Sequence, residues 1–196
     1  MFLVAGLGNP GEEYALTPHN LGFLTIDRLA EEHGIRVTRK DSKALVGMGE
    51  IGGNPVMLAK PQTFMNLSGT SLAPLIEKHS IELNRLLVVY DELDLAWGAM
   101  RIKPKGSAAG HKGMQSLIAA LGTNEFARVR LGIHPDHPVR DGAEFVLAPF
   151  RRSQMKELDE LVGSAADAVR SIIAEGVEKA MTKYNRRAPG LNTEDE

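Results

Sequence analysis

Short apolar runs alternate with segments of helical periodicity along this chain, and that alternation restricts its fold more than any other feature. Residues 2–5 predict a buried strand, and the spacing of apolar residues over 23–33 predicts a helix that ends at Gly34. Residues 44–51 and 55–60 flank a Gly-Gly-Asn turn and predict a β-hairpin. The next predicted elements are a helix over 68–79, capped by Ser68, and strands over 86–90 and 99–103. A helix over 112–121 and a strand over 127–133 follow.

The C-terminal part carries one long apolar stripe. Apolar residues recur every three or four positions from Met155 to Tyr184, which predicts one amphipathic helix, or two divided at Gly163 or Gly176, as a cover for the sheet. Strands and helices in this order predict a single α/β domain over 1–187, with a mixed, mostly parallel, twisted sheet flanked by helices. The acidic end, 188–196, is predicted to be a flexible tail.

Composition excludes several classes of protein. The chain has no cysteine, which excludes disulfides, thiolate nucleophiles and cysteine-ligated zinc. No apolar run approaches the roughly 18 residues that a membrane helix needs. The N-terminus lacks the basic and apolar regions of a signal peptide. We therefore expect a cytoplasmic protein without membrane association.

Positive charge is concentrated in one stretch of an otherwise slightly acidic chain. The formal net charge is −2, yet the stretch from 98 to 140 contains seven basic residues against Glu125 and Asp136. From charge alone, a solvated face and a nucleic-acid surface explain this stretch equally well. Its basic residues are Arg101, Lys103, Lys105, Lys112, Arg128, Arg130 and Arg140.

Asn9, Asn66 and Asp91 stand just past predicted strands or their connectors. Ligands of open α/β sheets bind outside the carboxyl ends of the strands. If the strands are parallel neighbours, these three side chains converge on one cleft. His19 follows Asn9 by ten residues, within a loop dense in glycine, proline and polar residues, and can reach the same cleft.

A histidine beside a carboxylate forms a general-base pair, because the carboxylate fixes the tautomer and raises the basicity of the ring. His19 with Asp91 would then take a proton from water, while Asn9 and Asn66 orient the water or donate to a developing oxyanion. No serine lies in a nucleophile elbow, so direct attack by water is the simplest hydrolytic interpretation. Turn formation alone also accounts for Asn9 and for Asp91.

The other candidate motifs are weaker. Residues 6–11 match the G-x-G-x-x-G spacing of dinucleotide sites, but Glu12, Glu13 and Pro18 stand where the phosphate-binding helix should begin. The pair His134 and His137 lacks the acidic or cysteine co-ligands of a metal site. The histidine at 111 begins a helix after a glycine-containing loop, where either an anion site or a simple turn is possible.

Taken together, six blocks of sequence resemble the bacterial peptidyl-tRNA hydrolase family, in order and at family spacing over nearly the whole chain. They are Gly-Leu-Gly-Asn-Pro-Gly-x-x-Tyr at 6–14, Thr-Pro-His-Asn at 17–20, Lys-Pro-Gln-Thr-Phe-Met-Asn-Leu-Ser-Gly at 60–69, Tyr-Asp-Glu-Leu-Asp-Leu at 90–95, Gly-His-Lys-Gly at 110–113 and Arg-Val-Arg-Leu-Gly-Ile at 128–133.

The resemblance implies hydrolysis of the ester that joins a peptide to the 3′-terminal ribose of tRNA. It implies His19 as general base, Asp91 as its supporting carboxylate, and Asn9 as the residue that distinguishes a blocked from a free amino group. Positions for the acyl-adenosine end are matched by Tyr14, Phe64 and Asn66. Positions for tRNA phosphates are matched by Lys103 and Arg130. No metal, organic cofactor or obligate protein partner is implied, and a monomer is expected.

The chain departs from the family pattern at a few positions. Pro18 and Lys112 stand where many members carry arginine and asparagine, and Ala108-Ala109 replaces a more glycine-rich loop. Lys112 can touch the RNA end only as a point charge. A non-catalytic RNA-binding relative, as known from splicing in plant organelles, is the alternative, and the presence of Asn9, His19 and Asp91 disfavours it.

Overall fold

A seven-stranded sheet organises the computed structural model, which describes residues 1–185. Its strands, in chain order, are β1 Phe2–Gly6, β2 Arg39–Asp41, β3 Ala44–Ile51, β4 Asn54–Pro61, β5 Leu86–Ala96, β6 Met100–Lys103 and β7 Ala127–His134. They lie side by side in the order β2-β3-β4-β1-β5-β7-β6. The four central strands, β4, β1, β5 and β7, are parallel, and the outer ladders on both sides are antiparallel. The predicted mixed α/β sheet is confirmed, with its parallel part in the centre.

Helices cover both faces of this sheet. They are α1 Leu21–His33, α2 Ser68–Lys78, α3 Lys112–Leu121, α4 Gly142–Leu147, α5 Met155–Glu175 and α6 Val177–Tyr184. Successive side chains of a strand point to opposite faces of the sheet. Val4 packs with residues of α1 and α5 on one face, and Leu3 packs with residues of α2 and α3 on the other. None of the helices in the described part of the chain combines the length and the hydropathy of a membrane-spanning segment.

Several boundaries follow the chemistry of single residues. Gly34 ends α1 in the left-handed conformation, with φ 63°, as predicted. Gly176, with φ 93°, separates α5 from α6, whereas Gly163 lies within α5, so the second of the two predicted break points is the correct one. The prediction that Ser68 caps α2 is wrong, because its hydroxyl donates instead to the carbonyl of Met65.

Three elements differ from the prediction, namely β5, β2 and α4. The strand expected to end at Tyr90 continues as β5 to Ala96, with an irregular register between Glu92 and Ala96. The sequence does not predict β2, with three residues, or α4, with six, because segments this short show no clear periodicity of apolar residues. The predicted acidic tail, 188–196, lies outside the described residues.

Asp41 ties the β2–β3 hairpin to the end of α2, and we expect this contact to make folding stability sensitive to acid. Its carboxylate is 6 % exposed and accepts hydrogen bonds from His79 Nε2 and Lys78 Nζ, both at 2.9 Å. These two bonds, led by that of His79, hold the pKa of Asp41 well below its usual range. A depressed pKa contributes stability above the pKa of the unfolded state, near 4, and that stability is lost as the pH falls further.

Asp41→Asn is therefore expected to lower the free energy of unfolding at neutral pH and to flatten its decline below about pH 4. Urea unfolding at several pH values measures both effects. Asp27→Asn is the control, because Asp27 is half-exposed and pairs with Lys60 at the surface. A wild-type slope in Asp41→Asn would show that this carboxylate does not govern the acid sensitivity.

Candidate active site

A cleft of about 440 Å³ opens where the parallel strands end. Residues of β5, of α4 and of the loops that follow β1 and β4 or precede α3 form its walls. They are Asn9, His19, Phe64, Met65, Asn66, Asp91, Glu92, Leu93, Asp94, Ala109, Gly110, His111, Lys112, Gly142, Ala143, Val146 and Leu147. Because β1 pairs in parallel with both β4 and β5, the residues that follow these strands meet at this edge of the sheet.

Asp91 lies between two imidazole rings in the cleft wall. Its Oδ2 lies 2.8 Å from His19 Nδ1, and its Oδ1 lies 2.9 Å from His111 Nε2. The side chain of Asp91 is 1 % exposed, whereas His19 is 11 % exposed. Each carboxylate oxygen therefore has an imidazole partner, and His19 is the member of the group that solvent and substrate can reach.

The surrounding hydrogen bonds fix the tautomers of both rings. The backbone N–H of Met114 donates to His111 Nδ1 at 3.2 Å, so a neutral His111 carries its proton on Nε2 and donates it to Asp91. An ionised carboxylate only accepts, so His19 donates from Nδ1. The Nε2 atom of His19 then holds the lone pair that can accept a proton.

Asp91 remains ionised despite its burial. Burial alone raises its pKa, but the charges and hydrogen bonds of His111 and His19 outweigh that effect and hold the pKa well below the usual range for aspartate. A fixed negative charge beside His19 stabilises the imidazolium that forms when the ring takes a proton. The arrangement can therefore perform general-base chemistry.

His19, Asp91 and His111 are also the one group, within the part of the chain that the structure describes, whose atoms lie close enough to hold a metal ion, all within 4.8 Å. A metal at His111 Nε2 would need the lone pair there and would move the proton to Nδ1. The N–H of Met114 already points at Nδ1. The donor set therefore fits proton transfer better than metal binding.

Asn9 presents a hydrogen-bond donor to the cleft. Its Oδ1 accepts from the backbone N–H of Met65 at 2.7 Å, so its amide nitrogen is left for a ligand. The side chain of Asn20 holds the backbone of Asn9 from both sides, accepting from its N–H at 2.8 Å and donating to its carbonyl at 3.0 Å. Because Asn20 is adjacent to His19, one short segment positions both polar groups.

The glycines at the start of the chain serve packing rather than a dinucleotide. A Cβ atom on Gly6 would lie 2.1 Å from the carbonyl oxygen of Gly22, and one on Gly8 would lie 2.6 Å from the ring of Phe23. The residues that follow form two separate 3₁₀ turns, Glu12–Tyr14 and Pro18–Asn20, instead of a helix that begins at the glycines. The G-x-G-x-x-G alternative therefore loses its structural basis.

Two arginines of the basic stretch are engaged inside the protein. Arg128 is 1 % exposed and donates to the carbonyls of Gly106 and Asn124, each at 2.7 Å, which ties together the loops before and after α3. Arg130 forms an ion pair with Glu92 through Nε and Nη2, and its side chain is 13 % exposed. The charge available to a polyanion is thus smaller than the sequence indicates.

The predicted binding residues fall into two groups. Phe64, Asn66 and Lys112 line the cleft, and Phe64 is 60 % exposed at its rim. Tyr14, Lys103 and Arg130 do not line it. Tyr14 lies in the first 3₁₀ turn, and the exposed Lys103 ends β6, the edge strand beside β7.

The roles of His111 and Asn20 do not follow from the sequence. The imidazole of His111 itself is engaged inside the protein, because its Nε2 donates to the buried carboxylate of Asp91. The Gly-His-Lys-Gly block marks a helix start, and only the fold places that start beside Asp91. For Asn20, its position next to His19 is the available signal.

His111 is expected to support catalysis as a positioning residue as well as to cap α3. His111→Asn keeps a side chain that can cap the helix, whereas His111→Ala removes both the cap and the hydrogen bond to Asp91. We expect both variants to lower kcat and to lose stability, because each leaves Oδ1 of the buried Asp91 without its partner. The alanine variant should lose about 0.5–2 kcal/mol more, for the missing cap. Thermal melts and turnover assays on the pair separate the two roles. Wild-type kcat in His111→Asn would contradict the positioning role.

Comparisons with known proteins agree on one family. The model of the peptidyl-tRNA hydrolase family matches residues 3–192. A peptidyl-tRNA hydrolase of Solibacter usitatus is 77 % identical over the full length of both chains, and one of Koribacter versatilis is 49 % identical over 95 % of this chain and 94 % of its own. The crystal structure of peptidyl-tRNA hydrolase from Acinetobacter baumannii superposes with a TM-score of 0.88 at 33 % identity and 97 % coverage of both chains.

Proposed function

The chain belongs to the peptidyl-tRNA hydrolase family, and we propose that it cleaves the ester between a peptide, or an N-blocked amino acid, and the 3′-terminal ribose of tRNA. The observation that carries the mechanism is the array His19–Asp91–His111 in the wall of the cleft. It supplies a proton acceptor at His19 Nε2 next to space for a water and an ester. The reaction recycles tRNA from peptidyl-tRNA that left the ribosome too early.

Water is the nucleophile in this proposal. His19 Nε2 takes a proton as the water oxygen attacks the ester carbonyl carbon, and Asp91 stabilises the resulting imidazolium. The tetrahedral intermediate then collapses, the bond to the ribose oxygen breaks, and the imidazolium returns its proton to that oxygen. The products are a carboxylic acid and a tRNA with a free terminal hydroxyl. General-base catalysis of this kind contributes about 10²–10⁴-fold, and positioning of the reactants adds to it.

Asn9 is proposed to make the enzyme prefer substrates whose amino group is blocked. Its amide nitrogen is a donor, since its oxygen is held by the N–H of Met65. A blocked amino group offers a carbonyl oxygen that accepts this hydrogen bond, whereas a free ammonium group offers only further donors. The exposed ring of Phe64 and the side chain of Asn66 are proposed to contact the acyl-adenosine end, and Lys112 a nearby phosphate. Tyr14 stays a predicted binding residue from the family resemblance.

Release of an N-acetylated amino acid from its tRNA by the purified protein tests the proposed function. We expect rapid release from the acetylated substrate and slow release when the amino group is free. Binding of tRNA without turnover of the acetylated ester would contradict the proposal and favour a non-catalytic RNA-binding role. On this function we further propose a cytoplasmic monomer that needs no cofactor and no protein partner.

Lys103 is expected to contact the tRNA backbone through charge alone. Lys103→Ala should weaken binding of all tRNAs about equally and lower the slope of log affinity against log salt by about 1. Binding titrations at several salt concentrations measure this slope. Lys156→Ala is the matched control, because Lys156 is an exposed lysine on the first turn of α5. A wild-type slope in Lys103→Ala would refute the assignment.

Arg130 needs a different test, because its removal leaves Glu92 buried without its partner. Breaking such a pair from one side destabilises a protein by about 3–5 kcal/mol. A tRNA phosphate would have to use Nη1 of Arg130, the guanidinium nitrogen outside the bonds to Glu92. The double variant Arg130→Met with Glu92→Gln removes both charges, so its salt slope reports the phosphate contact with less loss of stability.

A further inference from the structure

A second cavity, of about 700 Å³, adjoins the catalytic cleft. The two share α4 as a partition: Val146 and Leu147 line the cleft, whereas Phe145 lines the second cavity. Pro18, the residue before His19, forms part of its wall. The second cavity is therefore a direct neighbour of the catalytic cleft.

The floor and one wall of the second cavity are aromatic and apolar. Ile133 and Phe150 are buried beneath it, and Trp97 packs on Phe150 with ring centroids 5.4 Å apart. The indole Nε1 of Trp97 donates to the carboxylate of Glu157, and its backbone N–H donates to the carbonyl of His134 at 2.8 Å. The orientation of the indole is thus fixed and its polar atom is used, which leaves an aromatic surface for contact.

The side of this cavity formed by residues 134–137 offers hydrogen-bond acceptors, whereas Arg151, Ser153 and Gln154 supply donors elsewhere in its lining. His134 donates from Nδ1 to the carbonyl of Pro135 at 2.7 Å, and His137 does the same toward Pro138 at 3.2 Å. In its neutral form each ring then presents Nε2 as an acceptor. Asp136 adds a carboxylate. Arg151, also at the rim, adds one positive charge.

We infer that the second cavity binds an unpaired nucleobase that carries an exocyclic amino group, supplied by the single-stranded 3′ end of the tRNA. Single-stranded RNA is bound by stacking of its bases on aromatic side chains and by hydrogen bonds to their edges. The acceptors at the rim match the amino group of cytosine or adenine, whereas uracil offers a carbonyl oxygen at that position. The 3′ end of tRNA, cytosine-cytosine-adenine, carries that amino group on every base. The inference rests on the proposed function.

Fluorescence gives a direct test, because Trp97 is the sole tryptophan of the chain. Cytidine is titrated against the full-length protein, with excitation at the red edge of indole absorption, and uridine is the comparison. We expect saturable quenching by cytidine, with uridine weaker by on the order of tenfold. Asp136→Asn should weaken cytidine binding, and Glu160→Gln, the same change at an exposed site on α5, should leave it unchanged.

Three results would overturn the inference: no quenching by either nucleoside, equal quenching by both, or quenching that Asp136→Asn leaves unaltered. Saturable quenching by an apolar peptide, with none by cytidine, would assign the cavity to the peptide instead. Calorimetry of cytidine binding to Trp97→Ala provides a second measurement without the fluorophore. We expect the heat of binding to disappear in that variant, and wild-type affinity there would also contradict the inference.

Kinetics separate this inference from the proposed function. N-acetylaminoacyl-adenosine contains the ester but lacks the preceding cytidines. Its adenosine is proposed to lie in the catalytic cleft against Phe64 and Asn66, so this substrate leaves the second cavity empty. Asp136→Asn is expected to raise KM for full-length N-acetylaminoacyl-tRNA and to leave KM for the adenosine ester unchanged. If the wild type hydrolyses both substrates and Asp136→Asn changes KM for both by the same factor, the second site is refuted and the proposed function stands. Hydrolysis of neither substrate by the wild type would refute the proposed function.

Discussion

His19→Ala is expected to abolish measurable turnover of N-acetylaminoacyl-tRNA while leaving the affinity for tRNA nearly unchanged. The variant removes Nε2, the proposed proton acceptor, and with it at least the roughly 10²–10⁴-fold that general-base catalysis contributes. Affinity should persist, because most of the binding energy for tRNA comes from phosphate contacts distant from the imidazole. Single-turnover rates with enzyme in excess, together with filter binding of tRNA, measure the two quantities separately.

The control for this prediction is His33→Ala, which removes a histidine from the end of α1, outside the cleft. It should keep the wild-type rate. A single-turnover rate in His19→Ala within a few fold of wild type would refute the role of His19. An equal loss of affinity and rate would instead show that His19 binds the substrate without activating water.

Asp91→Asn is expected to lower kcat by on the order of 10⁴, as the corresponding change does in the catalytic triad of serine proteases. The reason is specific to this site. The N–H of Met114 keeps the proton of His111 on Nε2, so the amide oxygen of the new asparagine must face His111. The amide nitrogen then faces His19 and donates to Nδ1, which moves the ring proton to Nε2 and removes the base.

Turnover assays and thermal melts on Asp91→Asn test this argument. Asp94→Asn is the matched control, since Asp94 lines the same cleft but lies at its exposed side, without a contact to either imidazole among the described hydrogen bonds. We expect a small change in kcat for Asp94→Asn. A kcat near wild type in Asp91→Asn, with the fold retained, would show that the carboxylate does not set the tautomer of His19.

The local elements can be predicted from sequence where one residue decides the outcome. Gly34 and Gly176 end helices at positions that only a left-handed or otherwise unusual backbone allows, and the apolar runs of the central strands give their location. The extension of β5 beyond Tyr90 cannot be predicted, because the polar residues Asp91 and Glu92 break the apolar pattern. Both side chains are buried because they pair with His19, His111 and Arg130, so the polarity of this segment does not predict its burial.

Contacts between distant segments are the part that the sequence could not supply. His111 lies 20 residues after Asp91, and only the packing of α3 against the parallel strands brings the two side chains together. Likewise, Arg128 and Arg130 look equivalent to exposed lysines, because charge in a sequence does not reveal burial. Arg128 instead binds loop carbonyls, and Arg130 pairs with Glu92.

The tautomeric state of the two histidines tests the proposed mechanism most directly. Nitrogen NMR of histidine-labelled protein distinguishes protonated from unprotonated ring nitrogens, and the variants His19→Ala and His111→Asn assign the signals. We predict opposite tautomers around one carboxylate, with the proton of neutral His19 on Nδ1 and that of His111 on Nε2. A proton on Nε2 of His19 in the neutral ring would leave no base in the cleft and would contradict the mechanism.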